Sequence, residues 1–149
     1  MPLALGSLLH ERYRLRRHLG QGGLGAVYLA TDESQGDVPC AIKEQPVLSP
    51  ETERLFRREA GLLINLHHPN LPRVTQHFVQ DGAQFLVMDY VEGEDLQQRL
   101  KRDGPLAEAL VLLWAVPLCE AVRYLHSLVP PLLHRDIRPA NIKLMFHIY

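Results

Sequence analysis

Only two of the 149 residues are cysteine, Cys40 and Cys119, too few to staple a fold. Both sit in apolar periodic segments, which predicts buried free thiols in a reducing compartment. An excess of charge of one sign is also missing, since the formal net charge is -1. That balance leaves no basic footprint for nucleic acid, and there is no acidic tail. No long hydrophobic run occurs: the longest, residues 109–119, lies between Glu108 and Glu120 and is too short to span a bilayer. The N-terminus lacks the basic, apolar and small-residue pattern of a signal peptide, so the expected location is cytoplasmic. Internal repeats, low-complexity stretches and a Walker-type G-K-[ST] sequence are absent. With 46% hydrophobic and 22% charged residues, the chain reads as one ordinary soluble globular domain.

Between residues 13 and 89 short alternating runs are broken by turn residues, the pattern of strands joined as hairpins. Five strands are predicted at 13–19, 26–31, 38–44, 74–79 and 84–88, with turns at 33–37 and at Asp81 and Gly82. One helix interrupts them at 50–66, where Ser49 can cap, Pro50 suits the first turn, and Glu51 and Glu53 favour the positive helix end. After Met88 the pattern changes. Tyr90, Val91, Glu92 and Gly93 read as a linker, and helices are predicted at 95–101 and 107–127, the second bent at Pro117.

The segment Gly20, Gln21, Gly22, Gly23, Leu24, Gly25 spells G-x-G-x-x-G, which lets backbone approach phosphate oxygens without side-chain obstruction. Dinucleotide-binding folds place a helix after these glycines, but here Val27 to Thr31 alternates like a strand. Alone, the motif fits a flexible glycine-rich hairpin as readily as a phosphate flap. In the strand containing Cys40, Ala41, Ile42 and Lys43, a period of two puts Ala41 and Lys43 on one face. Lys43 alone would be a solvated edge cation. On the helix, however, Leu55, Glu59, Leu62, Leu63 and Leu66 recur at three- and four-residue steps, predicting an inward Glu59 that pairs with Lys43.

A further segment, His134, Arg135, Asp136, Ile137, Arg138, Pro139, Ala140 and Asn141, places an acid and an amide five residues apart on a loop. Such a pair can address a nucleophile and a metal together.

Taken together and in this order, these motifs resemble the N-terminal half of a protein kinase domain, of the eukaryotic-like Ser/Thr type found in bacteria, over residues 13–144. The resemblance implies an α+β fold: a small antiparallel five-stranded N-lobe with one helix, then the first helices and catalytic loop of a helical C-lobe. It divides the chain into an extension (1–12), N-lobe (13–88), hinge (89–93), partial C-lobe (94–144) and a tail outside the family register (145–149). By resemblance, Gly20, Gly22 and Gly25 cover the ATP phosphates, with Leu19, Gln21 and Gly23 in the same loop. Val27 and Ala41 would sandwich adenine, and Lys43 would hold phosphates while paired with Glu59. Met88 takes the gatekeeper place, Asp89 and Val91 the hinge, and Asp95 the ribose contact. Asp136 would orient the substrate hydroxyl, Arg138 would stand near the transferred phosphate, and Asn141 would bind Mg2+. Two departures stand out: Leu24 replaces a frequent aromatic, and Arg138 replaces a usual Lys.

The family continues with an Asp-Phe-Gly magnesium site and an activation segment, neither of which follows here. The expectation is a truncated form with little turnover of its own, acting as a split Ser/Thr kinase, as an inactive nucleotide-binding or interaction module, or with no function. Leu110, Leu113, Trp114, Leu118, Val122 and Leu125 on the long helix predict self-association or a complementing chain through exposed C-lobe surface.

Overall fold

Alternation of side chains across one strand organises the first part of the molecule. In the computed structural model, which describes residues 3–22 and 25–145, every second residue of the strand Gly25–Asp32 is buried, ending on Tyr28, Ala30 and Asp32. The strands are β1 (Leu8–Leu9), β2 (Tyr13–Gly22), β3 (Gly25–Asp32), β4 (Val38–Pro46), β5 (Val74–Gln80) and β6 (Ala83–Asp89). They form one antiparallel sheet in the order β1-β2-β3-β4-β6-β5. The five expected strands are all present. The sixth, β1, was not expected, because two leucines are too short a run to show a period.

One face of the sheet holds the core, built on Tyr13, Tyr28, Ile42, Phe78, Phe85 and Val87. Phe78 stacks on Phe85 with ring centroids 4.9 Å apart. The N-terminal segment closes this core. Leu9 is buried in it, the Leu3 N–H donates to the Tyr28 hydroxyl at 3.0 Å, and the His10 ring stacks on Phe78 at 4.6 Å. Arg12 donates Nε and Nη2 to the two carboxylate oxygens of buried Asp32 at 2.8 and 2.7 Å. That hydrogen bond holds the Asp32 carboxyl below its ordinary value. Burial next to Asp32 pushes the Cys40 thiol up to about 11, leaving it inert. Cys119, expected to be buried, is exposed.

The turn between β1 and β2 places His10 and Glu11 at φ 51° and 52°, closed by Arg12 N–H donating to Leu9 O at 3.0 Å. Both central residues are left-handed, as in the hairpin turn that favours glycine. Glu11→Gly should therefore raise stability by about 0.5–1 kcal/mol, read as a higher urea midpoint at unchanged slope.

Helix α1 (Pro50–Ile64) starts at a capping box, with Thr52 N–H donating to Ser49 Oγ and Ser49 N–H to Thr52 Oγ1. Its packed residue is Ala60, and Phe56 meets His77 of β5 edge-to-face at 6.0 Å. The expected inward stripe is therefore displaced: Leu55, Glu59 and Leu62 are exposed. The small Ala60 lets the helix backbone approach the sheet closely, which the hydrophobic period alone does not register.

Contacts divide the chain into two units, one of Met1–His67 and Pro72–Tyr90, the other of His68–Leu71 and Val91–Tyr149. The second unit holds α2 (Leu96–Asp103) and α3 (Glu108–Ser127). Asp95 caps α2, accepting from Gln98 N–H at 2.8 Å, and Glu94 binds Arg102 at 2.6 Å. α3 runs through Pro117 as a single element. With 20 residues it meets the length and apolar composition of a bilayer crossing, although its C-terminal half carries Glu120, Arg123 and His126. Of the six residues expected to form its apolar face, Leu125 is buried and only Leu113 is exposed; the exposed apolar group is Val111, Leu112, Leu113 and Val116.

Candidate active site

Strand register assembles a second face on the first unit, opposite the aromatic core. Across β3, β4 and β6, Val27 pairs with Lys43, Lys43 with Leu86, Leu29 with Ala41, and Ala41 with Met88. Cys40 and Ile42 belong to the core, so the period-two reading of β4 holds. Ala41 is buried, Val27 and Met88 are half-buried, and Lys43 is exposed. Because alanine is small, the face is low and apolar at Ala41, with an ammonium two residues further along the strand. A planar ring and a polyphosphate are the chemical groups such a surface suits.

The glycine motif closes the end of this face. Gly22 and Gly25 pair across β2 and β3, with Gln21 opposite Ala26 and Gly20 opposite Val27, so the described part of the motif lies on two antiparallel strands. Leu19 is on the same strand and exposed. Gly23 and Leu24 lie outside the described residues. Gly25 has φ +148°, and a Cβ on it would stand 1.8 Å from the Glu44 carbonyl oxygen. Nothing lies within 4 Å of the corresponding position on Gly20.

The expected Lys43–Glu59 ion pair is not formed. Both side chains are exposed, and no carboxylate lies within ion-pair distance of Lys43 among the described residues. The cause is the seating of α1. Its main sheet contacts are with β5 and β6, and burial of Ala60 turns Glu59 to solvent. At the end of β6, Asp89 is tied back to Arg73: its N–H donates to Arg73 O at 2.9 Å and its Oδ2 accepts from Arg73 N–H at 3.1 Å.

In the second unit the segment from His134 to Asn141 folds around Asp136. Asn141 Nδ2 donates to Asp136 O at 2.9 Å and to Oδ2 at 2.8 Å, while Arg138 Nε lies 3.2 Å from Oδ1. Asp136 N–H donates to His134 Nδ1 at 3.3 Å, and Arg135 sits at φ 66°. Left-handed backbone at a non-glycine residue is uncommon and held only where neighbours fix it. With its amide nitrogen committed to Asp136, Asn141 keeps its oxygen for another partner. Mg2+ takes one or two protein oxygens and completes its shell with phosphate and water, so Asn141 fits as a ligand. Arg138, by contrast, pairs with Asp136 while both side chains stay exposed.

Two residues that position this loop have no signal in the sequence reading. Lys143 Nζ donates to Gly93 O at 3.1 Å, and Leu144 N–H to Glu94 O at 2.9 Å. The strand-like stretch ending the loop is thereby tied to the segment that leads into Asp95, with Val91 half-buried just before it. The one available hint was Gly93, where a Cβ would stand 2.7 Å from Leu144 O. Asp95 spends one carboxylate oxygen on its cap.

The glycine-bearing strand pair beside a buried Ala and a Lys in the first unit, and the Asp–Asn loop in the second, are the elements that the resemblance to a protein kinase domain implies. The family model for the protein kinase domain matches residues 13–147, and the chain belongs to the protein kinase family. It is 35% identical to a probable serine/threonine-protein kinase, YbdM, of Bacillus subtilis, over 95% of this chain and 56% of that protein. Serine/threonine-protein kinase B of Synechocystis is 34% identical over 90% of this chain and 24% of its own length. Among solved structures, the Mycobacterium tuberculosis PknI kinase domain matches with a TM-score of 0.80 at 32% identity, covering 97% of this chain and 59% of that one. The chain thus spans somewhat over half of the first of these kinases and of the PknI domain.

Proposed function

We propose that this chain supplies the nucleotide-binding lobe and catalytic loop of a Ser/Thr protein kinase that moves the γ-phosphoryl group of ATP to a protein hydroxyl. The observation that carries the proposal is the sheet face on which Val27, Ala41 and Met88 surround an apolar floor and Lys43 follows at its end. In this reading the floor stacks adenine, the hinge residues Asp89 and Val91 flank it, and Lys43 and the backbone of Gly20, Gly22 and Gly25 hold phosphates. Asp95 contacts the ribose through its remaining carboxylate oxygen. Asp136 orients the acceptor hydroxyl and takes its proton, while Arg138 leaves Asp136 to neutralise charge on the transferred group. Bound Mg2+ supplies charge neutralisation of the phosphates, and Asn141 is the residue here that would hold it.

Turnover in this reading needs two rearrangements. Glu59 has to meet Lys43, and Arg138 has to release Asp136; nucleotide binding needs neither. Calorimetric titration with MgATP should therefore show saturable binding, weakened about tenfold in Lys43→Ala through loss of a charge-assisted contact. Equal affinity of the two proteins would remove Lys43 from the phosphate site.

A further inference from the structure

Strand β2 is irregular on both sides of Arg17. Its register against β3 shifts between Leu15 and Arg17 and again between His18 and Gly20, so Arg16 and Leu19 are the extra residues of two bulges. Bulges bend a strand and re-aim its side chains. Arg17 pairs with Leu29, Leu29 with Ala41, and Ala41 with Met88, which puts Arg17 on the face that carries the apolar floor. Its Nη2 donates to the hydroxyl of half-buried Tyr90, the residue after β6, at 3.3 Å. Both residues belong to the first unit. The bond joins β2 to the end of β6 and bypasses the two strands between them, β3 and β4. Nearby arginines are held differently: Arg12 is neutralised by Asp32 and Arg14 by Glu33. Neither Arg16 nor Arg17 has a carboxylate within ion-pair distance among the described residues, and Arg16 Nε donates to Thr31 Oγ1 at 3.0 Å. Hydroxyl partners keep anionic groups off the rim of a face suited to a polyphosphate.

We propose that Arg17 is a positioning residue for the nucleotide base: bonded to Tyr90, it ties the glycine-bearing strand to the hinge and sets the width of the slot that receives the ring. This inference rests on the nucleotide reading above. Gly20 follows Arg17 by three residues on the same strand and pairs with Val27, so a tie at Arg17 fixes where the glycine strand begins its path past the floor. Ala41, lying between the tied strands, is too small to prop them apart. A slot set before the ligand arrives spares part of the ordering cost of binding. The contribution belongs to the base, because the phosphates are addressed further along the face by Lys43 and the glycines.

Calorimetric titrations of the full chain with adenosine and with MgATP test the assignment. Arg17→Ala should weaken both ligands by the same factor, about fivefold, the size of one ordinary hydrogen bond. Tyr90→Phe should do the same. The double variant should lose no more than either single one, because the two changes remove one interaction. Arg17→Lys should recover most of the loss, since a single bond to a hydroxyl does not need the planar guanidinium fork. Arg17 is exposed and Tyr90 lies outside the aromatic core, and thermal melts verify the fold of each variant. Adenosine affinity unchanged in Arg17→Ala, a loss confined to MgATP, additive losses in the double variant, or no recovery with lysine would each overturn the proposal while leaving the nucleotide site in place. Absence of binding of either ligand by the unaltered chain would overturn the nucleotide reading and this inference with it.

Discussion

Gly25→Ala is expected to disrupt the hairpin between β2 and β3 and to cost about 3 kcal/mol or more. The reason is local and steric. The added methyl group would stand 1.8 Å from the carbonyl oxygen of Glu44, a backbone atom fixed by the pairing of β4 with β3 and β6. Backbone cannot give way as a flexible side-chain end can, and φ of +148° is closed to alanine as well. Gly20→Ala provides the contrast within the same motif. With nothing inside 4 Å of its Cβ position, the change should stay within about 1 kcal/mol. Urea denaturation of the two variants separates a steric requirement for glycine from a general preference for flexibility. Equal losses at the two positions would contradict the geometry.

Phe85→Ala should be the most damaging single truncation in the core, by about 3–5 kcal/mol. Phe85 is 2% exposed and stacked on Phe78, which in turn meets the Tyr13 ring at 6.1 Å and the His10 ring at 4.6 Å. Its removal leaves a cavity at the β6 end of a stack that runs through Phe78 to the N-terminal segment. Leu113→Ala on α3 removes a side chain of nearly the same hydrophobicity from a position 70% exposed, and its effect should be within about 0.5 kcal/mol. The comparison is read from denaturation midpoints. A large loss at Leu113 would mean that α3 buries this side chain in solution against another molecule.

The strands, the glycine hairpin and the Asp–Asn loop were legible because each has a local cause. Alternation of period two survives in β3 and β4 whatever they pack against, and the capping box of Ser49 and Thr52 acts within one helical turn. What could not be read was rotation and reach. The hydrophobic stripe on α1 pointed to Leu55 and Leu62 as the buried side, but the small residue Ala60 sets which side faces the sheet, and Glu59 turns outward with them. The same limit applies to α3, where four of six expected face residues are half-buried and Leu113 is exposed. Long-range polar contacts also leave no local trace. Arg12 with Asp32, 20 residues apart, and Lys143 with Gly93, 50 residues apart, depend on the completed chain path.

Position along the site was likewise visible only in part. Lys43 and Ala41 sharing a face follows from strand geometry, whereas the engagement of both Asp136 oxygens, by Arg138 and by Asn141, follows from a loop whose path includes a left-handed Arg135. No run of residue types announces that conformation.

Hydrogen exchange in the presence and absence of MgATP locates the nucleotide on the molecule without requiring turnover. Slower exchange is predicted in peptides spanning residues 19–27, 40–44 and 88–91, with little change along the outward face of α1. Unchanged exchange in those three stretches at saturating MgATP, or protection confined to α3, would contradict a nucleotide site on the Ala41 and Lys43 face.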